Sequence, residues 1–292
     1  MRGLKYLAAA LLASAALVGA AQTAGNDCEI NPGAVPQGEV VRVSCSGMQS
    51  ARMNGRTIQL FPQSDGRPLG LMPVRVLEKP GDYPLELLDA NGAVVRTLTV
   101  HVLNAHYPKQ NVNMESSTAA LKPSPGEQET VTAFRDTASP ERYWTDTLQL
   151  PVKGCLTSRF GVQRFVNGKP TGDFHGGLDQ RGAAGTPIHA IAGGVVKIVH
   201  DFNLRGGTVA IDHGQGVESI YMHMSKTAAS EGAHVEAGEV IGYIGATGRA
   251  NGPHLHWTLY VNGVIVNPVQ WVKVPPSCYA THTTAAAHPH HS

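Results

Sequence analysis

The residues best equipped for chemistry lie towards the C-terminal end of the chain, in the run Gly252-Pro253-His254-Leu255-His256-Trp257-Thr258-Leu259-Tyr260-Val261. From His254 on, its odd positions are apolar and its even positions are His, His, Thr and Tyr. Alternate residues of a strand share a face. The spacing therefore predicts a strand that buries Leu255, Trp257, Leu259 and Val261 and projects His254 and His256 together from its other side. Two imidazoles about 6–7 Å apart on one face suit one metal ligand and one catalytic partner. A second run, Asp173-Phe174-His175-Gly176-Gly177-Leu178-Asp179, sets His175 and Asp179 four apart. That spacing is again one face of a strand, because Gly176-Gly177 disfavours a helix. A catalytic zinc takes three protein ligands and keeps a fourth position open, and His175, Asp179 and His256 would supply that set. A third run, Ser219–Met224, also alternates; it puts Ser219, Tyr221 and His223 on one face, from which His223 would reach the same cleft.

The chain has 14 His, of which eight fall between positions 175 and 256. His213, at a strand end before Gly214, reads as structural, as does His101, alone in a strand-like run. His189, His200 and His234 read as structural or surface residues. Gly245-Ala246-Thr247-Gly248 with Gly252 lacks the Lys-Ser/Thr of a phosphate loop and reads as the tight turn before the His254 strand.

The elements that must hold these side chains are strands. Gly and Pro number 33 and 19 in 292 residues, and charged residues are only 15%, which excludes a coiled coil or long-helix protein. With 42% hydrophobic residues and a formal charge of +1, the chain is also not a disordered one. From Cys28 to Asn104 short alternating runs recur: Glu39–Cys45, Met72–Leu77, Leu85–Leu88 and Val94–Val100, with turns at Pro80–Tyr83 and Asn91-Gly92. An Asn-Gly between two strand-like runs is a strong hairpin signal. This spacing suggests a small β-sandwich of roughly 75 residues. Residues 105–147 are polar and broken by Pro108, Pro123, Pro125 and Pro140, with a short helix expected from Glu127 to Arg135. They read as a connector packed on a domain, near the cleft as one location, rather than a free linker. Strands return from 148 to 278, and 279–292 is a Thr-Ala-His tail expected to be disordered.

Residues 1–20 read as a secretory signal peptide: Arg2 and Lys5, an apolar run Leu7–Val18, then small residues. The run is too short to span a membrane. Its removal turns the formal charge from +1 to −1. A near-neutral chain offers no electrostatic case for nucleic acid or a polybasic membrane surface, and no stable membrane anchor is expected after cleavage. Export to the periplasm or outside the cell makes Cys28, Cys45, Cys155 and Cys278 disulfide candidates. Of three connectivities, Cys28–Cys45 and Cys155–Cys278 are favoured because each stays within one expected domain.

His175-Gly-Gly-Leu-Asp179 resembles the H-x-x-x-D motif, and His254-Leu-His256 the H-x-H motif, of the lysostaphin and LytM-type zinc endopeptidases, which cut peptide bridges or cross-links of bacterial peptidoglycan. Ser158-Arg-Phe-Gly161, Gly185–Ala190, Ile211-Asp-His-Gly214, Tyr221-Met-His223 and Gly238–Gly248 are similar to the rest of that pattern, which spans roughly 150–270. The resemblance implies a mostly β fold: an antiparallel, barrel-like catalytic domain (a duplicated hybrid motif) over 148–278, behind an immunoglobulin-like β-sandwich over 28–104. It implies one zinc per chain on His175, Asp179 and His256, with His223 and His254 as catalytic residues whose roles stay interchangeable, and a peptidoglycan peptide as substrate. The oligomeric state is not implied. The main alternative is a catalytically inactive relative that binds cell wall or activates another wall hydrolase; such relatives usually lose ligands, and here all five positions are filled. A carrier domain is disfavoured because no Lys lies between Lys226 and Lys273.

Overall fold

Alternating apolar and polar residues carry most of the chain into strands. The computed structural model describes residues 28–274. The expected signal peptide, Cys278 and the His-rich tail lie outside the described residues. The first eight strands are β1 (Cys28–Asn31), β2 (Ala34–Pro36), β3 (Val40–Cys45), β4 (Ser50–Met53), β5 (Arg56–Gln59), β6 (Leu69–Pro73), β7 (Gly81–Leu88) and β8 (Val94–Leu103). They form two sheets, ordered β1-β3-β6 and β2-β8-β7-β4-β5. Ile30 and Val43 of the first sheet and Ala51, Met53, Leu85 and Val100 of the second belong to one buried apolar cluster. A disulfide joins Cys28 to Cys45 across β1 and β3, and Cys155 is also disulfide-bonded. Two strand boundaries differ from expectation. The run expected over Met72–Leu77 is paired only as Leu69–Pro73, where Pro73 ends the ladder and Val74 instead bonds the backbone around Gly38 and Glu39. The turn expected at Pro80–Tyr83 is strand from Gly81, because the ten-residue β8 offers a partner along its length, from Gly81↔Val102 to Leu88↔Val94.

The connector carries strand β9 (Lys109–Val112) and helices α1 (Ser116–Ala119) and α2 (Glu127–Arg135). Glu127 ties down the start of α2. It accepts from the Ser124 backbone N–H and hydroxyl at 3.0 Å each, and from the Arg205 guanidinium at 2.7 Å. A carboxylate in the first turn also suits the positive end of the helix. One turn apart, Val131 and Phe134 are buried against Ile198, Phe202, Ala210, Ile220 and Tyr260.

The remaining strands are β10 (Leu156–Ser158), β11 (Gln163–Val166), β12 (Lys169–Phe174), β13 (Leu178–Arg181), β14 (Pro187–His189), β15 (Gly194–Phe202), β16 (Gly206–Gly214), β17 (Val217–Thr227), β18 (His234–Val235), β19 (Val240–Ile244), β20 (His254–Val261) and β21 (Val264–Val266). Ten of them form one sheet along β10-β13-β20-β17-β16-β15-β18, with β14, β19 and β21 branching from it. Its neighbouring strands pair antiparallel. The connector strand β9 pairs parallel with β11, and β11 pairs antiparallel with β12, beside the main sheet.

Leu255, Trp257, Leu259 and Val261 are fully buried, as their alternation predicts. The opposite face of β20 is not left free along its length. Tyr260 lies under α2 and Thr258 is buried, while His254 and His256 stay partly exposed. The connector thus covers one half of that face. Val40, Leu71 and Val76 of the N-terminal module join the apolar cluster of the large sheet. Gln270 exchanges two hydrogen bonds with the backbone of Val40 at 2.9 Å each, and Asn262 donates to the Leu71 carbonyl at 2.7 Å. Among the described residues no helix is long and apolar enough to cross a membrane.

Candidate metal centre and cleft

Strand register sets up the site. Asp179 of β13 lies directly across from His256 of β20, and Arg181 across from His254. Facing residues of an antiparallel pair point to the same side, so all four emerge on the face opposite Trp257. His175 does not share a strand with Asp179, contrary to the expectation. It follows the end of β12, and Gly176-Gly177 breaks the chain before β13. A bend replaces the strand because the backbone there runs against β20: a Cβ on Gly177 would collide with the Trp257 carbonyl oxygen and lie 2.9 Å from His256 Nε2. The bend folds His175 back over Asp179.

Three donor atoms converge as a result. His175 Nε2 lies 3.0 Å from Asp179 Oδ1 and 3.0 Å from His256 Nδ1, and the last two are 2.8 Å apart. The hydrogen bond at the far side of the His175 ring assigns its tautomer. His175 Nδ1 lies 2.8 Å from the Arg159 carbonyl, which only accepts, so this nitrogen carries the proton. His256 Nε2 contacts the Thr258 hydroxyl at 3.1 Å. That leaves His175 Nε2 as a lone pair beside a carboxylate oxygen in a nearly buried pocket, and His256 Nδ1 is a second one when the His256 proton sits on Nε2 towards Thr258. Such an arrangement is repulsive without a cation. Tetrahedral ligands at about 2.0–2.1 Å from zinc stand about 3.3 Å apart, close to the spacing seen, and a His2Asp set suits that metal. Burial, reinforced by the neighbouring His175, pushes His256 down to about 3 against the pull of Asp179, so the ring is neutral, as a ligand must be. Burial alone would raise Asp179, but the neighbouring His175 and His256 hold it well below the usual carboxylate range. Its second oxygen accepts from Arg164 at 3.0 Å. Ser158, whose hydroxyl is 3.1 Å from His175 Nδ1, donates to Gln110 of the connector strand at 2.8 Å.

The other two histidines flank this triad. The ring centroids of His223 and His254 are 4.9 Å apart, and those of His223 and His256 6.2 Å. Each turns Nδ1 to a backbone carbonyl at 2.8 Å, of Thr247 for His223 and Gly252 for His254. Nδ1 therefore carries the proton and Nε2 is left as a lone pair. Burial, then the nearby His254, push His223 down to about 4.

His223 reaches the cleft by a route that alternation does not give. Met222, not His223, pairs with His256, and Tyr221 is fully buried on the other face with its hydroxyl accepting from the Ile191 N–H. Strict alternation would send His223 inward with Ser219 and Tyr221. Between Tyr221 and Met224, however, the pairing with β16 shifts register, and His223 adopts a left-handed φ of 63°. This bulge turns the ring out to the face that carries His254 and His256. His213 is fully buried between the Gly193 carbonyl and the Ser219 hydroxyl, and His189 bonds the Gly238 carbonyl. His200 and His234 are exposed.

A cavity of about 310 Å³ opens on these groups. Its walls include residues that the motifs did not single out: Gln110, Val112 and Met114 of the connector, and Arg164, Arg181 and Arg249. Alternation in Asp179-Gln180-Arg181 carried a signal for Arg181; nothing local marked Arg164, which arrives from the β11 side.

The chain is similar in sequence and structure to known peptidases. The pattern of Peptidase family M23 matches residues 173–268. A solved structure described as a putative peptidase M23 from Pseudomonas aeruginosa is 30% identical, covers 80% of this chain and 93% of its own, and superposes with a TM-score of 0.63. The chain belongs to peptidase family M23. Curated relatives include the DD-carboxypeptidase/endopeptidase Mpg of Neisseria meningitidis, 45% identical over 95 residues, and the peptidoglycan DD-endopeptidase ShyA of Vibrio cholerae, 38% identical over 96 residues. These matches take in 32% and 33% of this chain and 22% of each relative, so the chain aligns with about a fifth of their length.

Proposed function

We propose that the protein is an exported zinc-dependent endopeptidase that hydrolyses peptide bonds in peptidoglycan stems or cross-links, with one zinc per chain on His175, Asp179 and His256. The observation that carries this reading is the convergence of three potential ligand atoms, from His175, Asp179 and His256, in a cleft where two further imidazoles turn Nε2 away from their backbone hydrogen bonds. The printed activities of Mpg and ShyA support the substrate class. Zinc held there supplies Lewis acidity, which acidifies water and polarises a carbonyl. His254 and His223 do the proton work: one accepts a proton at Nε2, and the other, once protonated, donates to the developing oxyanion or leaving amine. Their 4.9 Å separation means that charging one ring disfavours charging the other, which divides the pair into a base and an acid. Arg164 and the Arg159 carbonyl hold Asp179 and His175 in their ligand orientations. Residues 28–104 serve as an immunoglobulin-like module and 148–278 as the peptidase unit, with export directed by residues 1–20.

Digestion of defined, cross-linked peptidoglycan followed by mass analysis of the fragments tests the proposal. Cross-linked muropeptides should open into their uncross-linked parts, and a chelator should stop the reaction until zinc is restored. Intact cross-links after incubation with zinc-loaded protein would contradict it.

A further inference from the structure

The cleft has an unbalanced charge. Three guanidinium groups line it, from Arg164, Arg181 and Arg249, against one carboxylate, Asp179. Asp179 is a candidate metal ligand and is already paired with Arg164. Arg181 and Arg249 are exposed and make no ion pair among the described residues. Their positions follow from the fold. Arg181 sits across from His254 in the β13–β20 register, two residue pairs beyond the Asp179–His256 pair and on the same face. Arg249 lies on the turn leading into β20, pinned by its N–H to the Leu204 carbonyl at 2.9 Å. Two unpaired cations lining the same cavity as a divalent metal site make it electropositive, and an anion bound there lowers that charge. Guanidinium groups bind carboxylates in bidentate geometry, with strength that grows as bound substrate excludes water.

We infer that Arg181 and Arg249 are specificity residues that bind a carboxylate of the substrate peptide next to the scissile bond, so that the enzyme selects anionic peptides over neutral ones such as oligoglycine. The inference deepens the endopeptidase reading and rests on it for the scissile bond. The carboxylate comes from either of two places, a side chain or a free chain terminus; both present the same group.

The test uses synthetic peptides that differ only by carboxylate or carboxamide, in one series at the side chain after the scissile bond and in another at the C-terminus. Hydrolysis and calorimetric binding are measured for the wild type, for Arg181→Gln, Arg249→Gln and the double variant, and for Arg181→Lys, with zinc content determined for each. The wild type should favour the carboxylate at least about tenfold in kcat/KM in one series. That ratio should collapse towards one in the double variant, mainly through KM, with zinc retained and Arg181→Lys intermediate; the series that responds identifies the source of the carboxylate. A wild-type ratio near one in both series overturns the inference. So does a ratio that survives in the double variant, which would mean that the carboxylate contacts only the metal. Should no peptide be cut, the endopeptidase reading fails, and binding then decides about the arginines: tighter binding of the carboxylate peptide that the double variant abolishes supports them, and equal binding overturns them.

Discussion

Each of the five central side chains has one nitrogen or oxygen committed to the protein and one left for chemistry. His175 is tied by Nδ1, His223 and His254 likewise, His256 by Nε2 to the Thr258 hydroxyl, and Asp179 by Oδ2. The commitments separate two roles, and substitution should separate them too. On the proposed assignment, His223→Ala and His254→Ala each remove a proton-transfer group and no ligand. Each should lower kcat by about 10²–10⁴-fold while zinc content stays at the wild-type level. Loss of zinc with either change would make that residue a ligand instead. Most of this was legible in local spacing: H-x-H on an alternating run forces two imidazoles to one side. The tie from Arg164 to Asp179 was not, because it bridges two strands that only the folded chain brings together.

At the scale of elements, two local departures from regular strand build the cleft. The first is the bend at Gly176-Gly177. Gly177→Ala places a methyl group against the Trp257 carbonyl and His256 Nε2, so zinc affinity in a chelator competition should drop by about 10–100-fold; unchanged affinity would mean that the bend has slack. The second is the bulge at His223. Alternation suggested the right cleft for the wrong reason, since periodicity of two cannot register the left-handed residue that re-aims the ring. Helix α2 was readable from Glu127 onwards, but not the surface it covers. Phe134→Ala, which opens a cavity over Ile220 and Tyr260, should cost about 3–5 kcal/mol in denaturant unfolding; a cost below about 1 kcal/mol would mean that the helix does not hold the sheet. Near the C-terminal end of α2, burial, then the charges of Asp212 and Asp136 against that of Arg135, push Glu218 up to about 10. Neither of its oxygens has a hydrogen-bond partner among the described residues. The folded state thus keeps a proton that the unfolded chain releases near 4.5. Stability is full below that pH and is lost as pH rises towards 10, by about 3 kcal/mol at pH 7. Glu218→Gln should therefore match the wild type near pH 4.5 and exceed it increasingly above, as read from Tm against pH; parallel curves would mean that the carboxyl is ionised and solvated in the fold.

For the molecule as a whole, the connector does more than link. Its strand β9 pairs with β11, its Gln110 reaches Ser158 beside His175, and its helix roofs half of the sheet face that bears the site. The N-terminal module shares an apolar cluster with the large sheet through Val40, Leu71 and Val76. Module, connector and sheet should accordingly unfold in one calorimetric transition, and Gln270→Ala, which orphans the Val40 backbone, should lower stability by about 1–3 kcal/mol; two separate transitions would show independent units. Composition and turn spacing made the two β regions legible, but contacts between residues 190 or more positions apart leave no periodic trace.

The central claim is that His175, Asp179 and His256 hold the metal while His223 and His254 do not. Elemental analysis of purified wild type, His256→Ala and His254→Ala tests it most directly. The account predicts about one zinc per chain in the wild type and in His254→Ala, and essentially none in His256→Ala. Stoichiometric zinc in folded His256→Ala would contradict it.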